Sequence, residues 1–357
     1  MTLPKSAEQP ASVPEAMKAL QEIRDKYDLP ALGLVVVKDG KVCDRAAVGI
    51  RKTGNAVPVA TSDKFHIGSC TKSMTATIAA MLIEEGRLRW NTTVAEVFPE
   101  LTGEIHRQCE TVRLEQLLTH RGGIANNPDS VAWSRAWEEN GTPTQQRYEF
   151  ARAVLAYPLA VTPGTKMIYS NSGYAIVSAM IERAIGEPWE HLATEKLFSP
   201  LHMDSAGFGP PGTKDEVDQP WGHTKTESVK TPSQKDNPPA ISAAGRVHCS
   251  LDDLALFAVF HVEGERQNGL LKTETMRKLH TPPAGSDYAF GWLCVESDWA
   301  GGKELWHNGS NTFWYASMWL APARNFALVT ATNIAGVDAD KALDEVKEKM
   351  VRKWLSH

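Results

Sequence analysis

The stretch Phe65-His66-Ile67-Gly68-Ser69-Cys70-Thr71-Lys72 runs directly into a segment rich in Met, Ala, Ile and Leu that ends at Gly86. Residues 73–86 carry apolar side chains on nearly every helical face, which predicts a helix buried in the middle of the molecule and stopped by Gly86. Ser69 and Lys72 stand at its entry. Positions i and i+3 of a helix share a face, so the lysine amine can reach Ser69 Oγ. The helix N-terminus adds a positive field where an alkoxide would form. A serine hydroxyl is a weak nucleophile until a neighbour takes its proton, and a desolvated lysine of lowered pKa can do so. The plainer reading is a capping serine beside a solvated lysine, and spacing alone does not separate the two. Cys70 is turned about 100° from Ser69 on a helix and reads as a buried packing residue.

Working outward, Met17, Leu20, Ile23 and Tyr27 recur at helical spacing before Pro30. Leu32–Val37 is a β-branched run, and Asp39-Gly40 turns it into a second apolar stretch ending at Val48, a hairpin. Helical patterns recur at 113–119, 145–156, 172–185 and 251–262. Residues 206–240 hold six prolines and no clear period, which reads as a long loop, functional or mobile rather than filler. The tail returns to strands at 288–296, 305–306, 313–320 and 326–332, closed by a helix over 341–355. Strands at both ends around a helical middle predict an α/β (α+β) fold, with one antiparallel sheet built from N- and C-terminal strands and flanked by helices. The organisation expected is a sheet-and-helix lobe from 14–66 and 286–357, a mostly helical lobe from 67–285, and a site between them.

Two further stretches supply chemistry. Tyr169-Ser170-Asn171 follows Pro163-Gly164 and opens an apolar helix. A tyrosine near ammonium or imidazolium groups can ionise below its usual value of about 10 and act as a general base. Asn171 offers a donor and an acceptor for orienting Lys72 and a substrate. Trp306-His307-Asn308-Gly309-Ser310 reads as a strand whose glycine lets a substrate backbone lie close, with the Ser310 N–H placed to donate to a developing oxyanion. The plainer readings are an exposed turn tyrosine and an ordinary strand histidine.

Taken in order, Ser69/Lys72, Tyr169/Asn171 and His307/Gly309 resemble the Ser-x-x-Lys, Tyr-x-Asn and Lys/His-x-Gly motifs of the penicillin-recognising serine hydrolases of the class C β-lactamase type. That family includes D-Ala-D-Ala carboxypeptidases, D-aminopeptidases and β-lactamase-related esterases. Phe65-His66-Ile67-Gly68, Leu117–Gly123, Ala243-Ala244-Gly245 and Leu251–Ala255 are similar as flanks, and the likeness runs from about 16 to 335. The resemblance implies a β-lactamase/transpeptidase-like fold, with Ser69 as acylated nucleophile and Lys72 as its proton partner. It also implies Tyr169 as general base and leaving-group acid, Asn171 as orienting residue, and the Ser69 and Ser310 amides as oxyanion hole. Asn308, Gly309, Asn127 (beside Asn126) and Trp221 are candidate substrate contacts. Position 307 departs from the Lys usual in such lactamases. Histidine is mostly neutral at pH 7, so a carboxylate anchor weakens and should strengthen as pH falls through the histidine range. The function expected is hydrolysis of small esters, D-amino-acid amides or peptides, with β-lactams cleaved slowly. The alternatives are a class C-type lactamase proper, a non-catalytic penicillin-binding module, or a Ser-His-Asp hydrolase using other residues. Lys52-Thr53-Gly54 spells the family's commoner third motif but precedes the nucleophile, in a polar loop.

Composition bounds the rest. The chain has 357 residues, 38 Lys plus Arg against 43 Asp plus Glu, and a net charge of −5. No basic block marks a nucleic-acid or anionic-membrane partner. The five cysteines are scattered singly and the eleven histidines lack ligand spacing, so neither a disulfide framework, a metal site nor a cofactor is expected. No run is long and apolar enough for a membrane span. Met1–Ser6 lacks the apolar core of a secretory signal, leaving a cytoplasmic protein or, if a signal was removed, a periplasmic or secreted one. No elbow of the form Gly-x-Ser-x-Gly, no zincin His-Glu-x-x-His and no Walker loop is present.

Overall fold

The computed structural model describes residues 13–126, 130–138, 140–266 and 268–355. In chain order the strands are β1 (Ala31–Lys38), β2 (Lys41–Gly49), β3 (Lys64–His66), β4 (Gly207–Phe208), β5 (Gly222–Thr226), β6 (Val229–Ser233), β7 (Val247–Ser250), β8 (Leu293–Ser297), β9 (Gly302–Ser310), β10 (Tyr315–Ala321) and β11 (Phe326–Thr332). Among the described residues β2-β1-β11-β10-β9-β8 form one antiparallel sheet. Its central seam joins the two ends of the chain, with Leu32 opposite Thr332 and Lys38 opposite Phe326.

Both faces of that sheet are covered, which is why β1 is an unbroken apolar run rather than an alternating one. Leu32, Leu34 and Val36 pack with Leu20, Ile23, Leu343 and Val346 from helices Val13–Lys26 and Val337–Leu355. Val35 and Val37 face the other way, into the core that holds Leu254, Phe257 and Ala258 of helix Leu251–Gly264. A Cβ on Gly33 would sit 2.9 Å from Leu251 Cδ1, so that helix lies almost on the β1 backbone.

Two features position the site. β3 pairs with β7, which leads the chain into a 3-10 turn at Gly68–Cys70 and then the buried helix Thr71–Glu84. β8 stops at Leu293, opposite Trp306, so residues 307–310 of β9 extend beyond it. The nucleophile turn packs there, with Cys70 Sγ 3.5 Å from His307 O.

Two segments differ from the sequence reading. The strand expected over 288–296 begins at Leu293; Tyr288 makes an isolated bridge back to Leu293 and turns its side chain inward. Residues 206–240 are not a plain loop but contain β4 and the β5–β6 hairpin. That hairpin is largely solvent-facing and carries Pro232, so it lacks the period-2 apolar signal of a core strand.

Candidate active site

Ser69 lies in the 3-10 turn one residue ahead of the helix N-cap, and Lys72 sits in the first turn with no solvent exposure. Lys72 Nζ is 2.9 Å from Ser69 Oγ, 2.7 Å from Asn171 Oδ1 and 2.7 Å from the Ala244 carbonyl. Burial pushes the amine well below its ordinary value of 10.5. A neutral amine has two hydrogens and one lone pair. Two of its neighbours are carbonyl oxygens that can only accept, so both hydrogens are spoken for. The lone pair is left for the serine proton. Cys70, beside Ser69, is fully buried and its thiol is pushed up to about 12 by that burial, so it stays an inert thiol.

Tyr169 reaches the same place from ahead of helix Asn171–Ile185, its hydroxyl hydrogen-bonded to the Ser69 side chain and its ring centroid 4.8 Å from Lys72 Nζ. The helix start is heavily tied down. Ser170 Oγ accepts from Gly173 N–H, Asn126 Oδ1 accepts from Asn171 N–H, and His120 Nδ1 accepts from Ser170 N–H. The expectation of a tyrosine ionising below 10 is reversed. Burial raises its pKa well above 10, against a smaller lowering from the Ser69 hydrogen bond. Burial also disfavours the charged form of the lysine that was to act as the stabilising cation. Tyr169 is therefore a phenol, able to give a proton and, once given, to take one back.

The glycines of the turn and strand explain how the two amides meet. A Cβ on Gly68 would fall 2.2 Å from Ser310 N, and one on Gly309 would fall 2.1 Å from Ile67 O and 2.5 Å from Ser69 N. No L side chain fits either gap, and Gly68 also has φ +50°. Gly309 is thus required by the protein's own backbone, where the sequence reading assigned it to a substrate backbone.

The family profile described as Beta-lactamase matches residues 16–349. The chain belongs to the beta-lactamase family. Protein flp of Staphylococcus aureus (strain COL) is 24% identical over 334 residues, covering 91% of this chain and 64% of flp, so the chain spans under two thirds of that relative. Among solved structures, EstCE1, a hydrolase with promiscuous acyltransferase activity, superposes with a TM-score of 0.79 at 17% identity, over 94% of this chain and 99% of that one. D-amino acid amidase from Ochrobactrum anthropi SV3, complexed with L-phenylalanine amide, gives a TM-score of 0.76 at 20% identity, over 95% and 99%. At these identities the superpositions show the fold.

Within this serine-hydrolase family, the surroundings of position 307 weigh against the anchoring role expected of it. His307 is 2% exposed. Its Nδ1 faces the Asn308 carbonyl and its Nε2 lies 2.9 Å from the Tyr288 hydroxyl. A carbonyl only accepts, so Nδ1 carries the proton and Nε2 accepts from the phenol. Burial, reinforced by Lys72 and opposed by the Asn308 bond, drops the imidazole pKa to about 3. Its charged form is disfavoured across the histidine range, against the carboxylate-binding role. Tyr288 was missed because nothing in its neighbourhood distinguishes it from a strand tyrosine. The Ala244 carbonyl was missed because a backbone oxygen leaves no mark in a sequence.

The substrate contacts fare differently. Asn308 points to the opposite face of β9 from His307 and donates to the Tyr315 hydroxyl at 2.6 Å. Trp221 lies under Lys52, with Nζ 3.4 Å from its ring; its Nε1–H donates to the Glu216 carbonyl and its backbone N–H to the Arg51 carbonyl. Asn127 is outside the described residues. Lys52-Thr53-Gly54 lies in a turn, where Thr53 N–H donates to His223 Nε2. A His–Asp pair does stand near the nucleophile, His66 with Asp236. Gly68 N–H takes His66 Nδ1 and Asp236 faces Nε2, which leaves no lone pair for Ser69. Among the described residues no group of three or more His, Cys, Asp or Glu side chains is placed to hold a metal ion, and no helix is long and apolar enough to cross a membrane.

Proposed function

We propose that the chain hydrolyses small neutral esters, ahead of D-amino-acid amides and far ahead of carboxylate-bearing peptides or β-lactams, through an acyl-enzyme on Ser69. The observation that carries this is the neutral, doubly engaged His307 at the position where a cation would hold a substrate carboxylate. Lys72 takes the Ser69 proton as Oγ attacks the carbonyl carbon. The Ser69 and Ser310 amides receive the oxyanion. Tyr169 gives its proton to the departing alkoxide or amine and recovers one from the Lys72 ammonium. Water then attacks the acyl-enzyme with the same groups reversed. The likeness to EstCE1 and to a D-amino acid amidase supports a cleft of this architecture that handles both ester and amide carbonyls.

The test is a panel of p-nitrophenyl esters, D-alanyl p-nitroanilide and nitrocefin, run on wild type and on Ser69→Ala. The expected order is neutral ester, then amide, then lactam, all lost in the variant. Nitrocefin turning over as fast as p-nitrophenyl butyrate would overturn the ester preference. Full esterase activity in Ser69→Ala would overturn the nucleophile.

A further inference from the structure

The two amides assigned to the oxyanion belong to different parts of the chain, and a buried carboxylate joins them. Asp236, whose side chain is 3% exposed, comes from the Pro-rich segment after β6. Its Oδ1 is 2.9 Å from His66 Nε2, by a bent approach, and accepts from Asn311 Nδ2 at 2.9 Å and from Asn237 N–H at 2.7 Å. Arg246 Nε faces Oδ2 at 3.3 Å. The His66 arm leads to the nucleophile turn, since Nδ1 accepts from Gly68 N–H at 3.1 Å. The Asn311 arm leads to the end of β9. Asn311 Oδ1 accepts from Phe313 N–H and Trp314 N–H, closing a turn in which the β-branched Thr312 is held at φ +76° and donates its N–H to Ser310 Oγ. A β-branched residue in the left-handed region persists where its surroundings over-determine it. Here the surroundings are Asn311 and the carboxylate behind it.

We propose that Asp236 is a positioning residue that, acting through His66 and Asn311, sets the spacing between the Ser69 and Ser310 amides. Resting on the acyl-transfer reading of the site, this names what regulates the fit of its oxyanion hole. Gly68 and Gly309 allow the turn and strand to touch; Asp236 supplies the tie that keeps them in one register. Loss of the tie shifts donors that act on the tetrahedral intermediate and leaves ground-state binding alone.

The experiment compares wild type, Asp236→Ala, Asp236→Asn, Asn311→Ala and Ser69→Ala on p-nitrophenyl butyrate, with active sites counted by end-point fluorophosphonate labelling. Asp236→Ala should lose about 100-fold in kcat per labelled site, with KM within about threefold of wild type. Its affinity for a boronic acid that forms a tetrahedral adduct should fall in parallel. Asp236→Asn keeps an acceptor for His66 and Asn311 and should recover most of the loss. Adding His66→Phe to Asp236→Ala should cost little more, because one tie is already cut. A merely structural aspartate would lower the labelled fraction and leave kcat per site unchanged, and that result overturns the inference while Ser69→Ala remains inactive. An active Ser69→Ala would instead remove the reading on which it rests. If Asp236→Ala does not fold, Asn311→Ala carries the test through one arm, with about tenfold expected in kcat per site and no change refuting it.

Discussion

Two buried nitrogen bases flank Tyr169, and they differ in what they do with their lone pairs. Lys72, at the head of the nucleophile helix, faces two carbonyl oxygens that use up its hydrogens and one hydroxyl that can use its lone pair. His307, on β9, has its proton committed to a backbone carbonyl and its lone pair to a phenol. Burial lowers the pKa of both. Desolvation alone therefore does not make a general base; the donor and acceptor balance of the neighbours decides whether the neutral nitrogen is available.

The strongest way to break this contrast is to remove Lys72. Lys72→Ala should lower kcat/KM on a neutral ester by roughly 10⁴-fold or more, measured by p-nitrophenol release. A nearly silent variant would hand the proton to another group. Next is Tyr169→Phe, which deletes the leaving-group proton source and should cost about 10²–10³-fold in kcat; a loss confined to KM would make Tyr169 a binding residue only. The pH profile sharpens the same point. Activity should fall as pH drops through the depressed Lys72 value, because the ammonium has no lone pair, with no inflection near 6.5 from His307. His307→Gln should accordingly lower kcat/KM by less than about tenfold. It should also leave the ratio of carboxylate-bearing to neutral esters flat between pH 5 and 8, and a ratio rising toward acid in wild type would restore the anchoring role. The last prediction concerns stability. His307 has a folded pKa of about 3 against an unfolded one near 6.5, so below pH 6.5 the unfolded state binds the proton first. Stability should drop by up to about 1.4 kcal/mol per pH unit between 6.5 and 3, a slope that chemical denaturation should find reduced in His307→Gln.

Much of this was legible in the chain. The Asp39-Gly40 turn, the buried helix after Ser69 and the strands expected over 32–37 and 326–332 are local patterns, and each appears in the fold within a few residues of its expected limits. Ser69, Lys72 and Asn171 announce themselves by residue type and spacing, and the structure brings them within hydrogen-bond reach. What escaped is of another kind. The direction of the Tyr169 shift, the tautomer of His307 and the partners of Trp221 depend on burial and on groups distant in sequence. No window of sequence contains them.

By itself, then, the sequence determined the inventory: a serine and an amine one helical turn apart, a tyrosine ahead of a second helix, and a glycine near the end of a strand. Periodicity and motif order are short-range properties, and they survive in one dimension. The tertiary structure alone decided the protonation of those groups. A proton's position is set by how far water is excluded and by which acceptors converge from other segments, and Ala244, Tyr288 and Asp236 arrive from three different places along the chain.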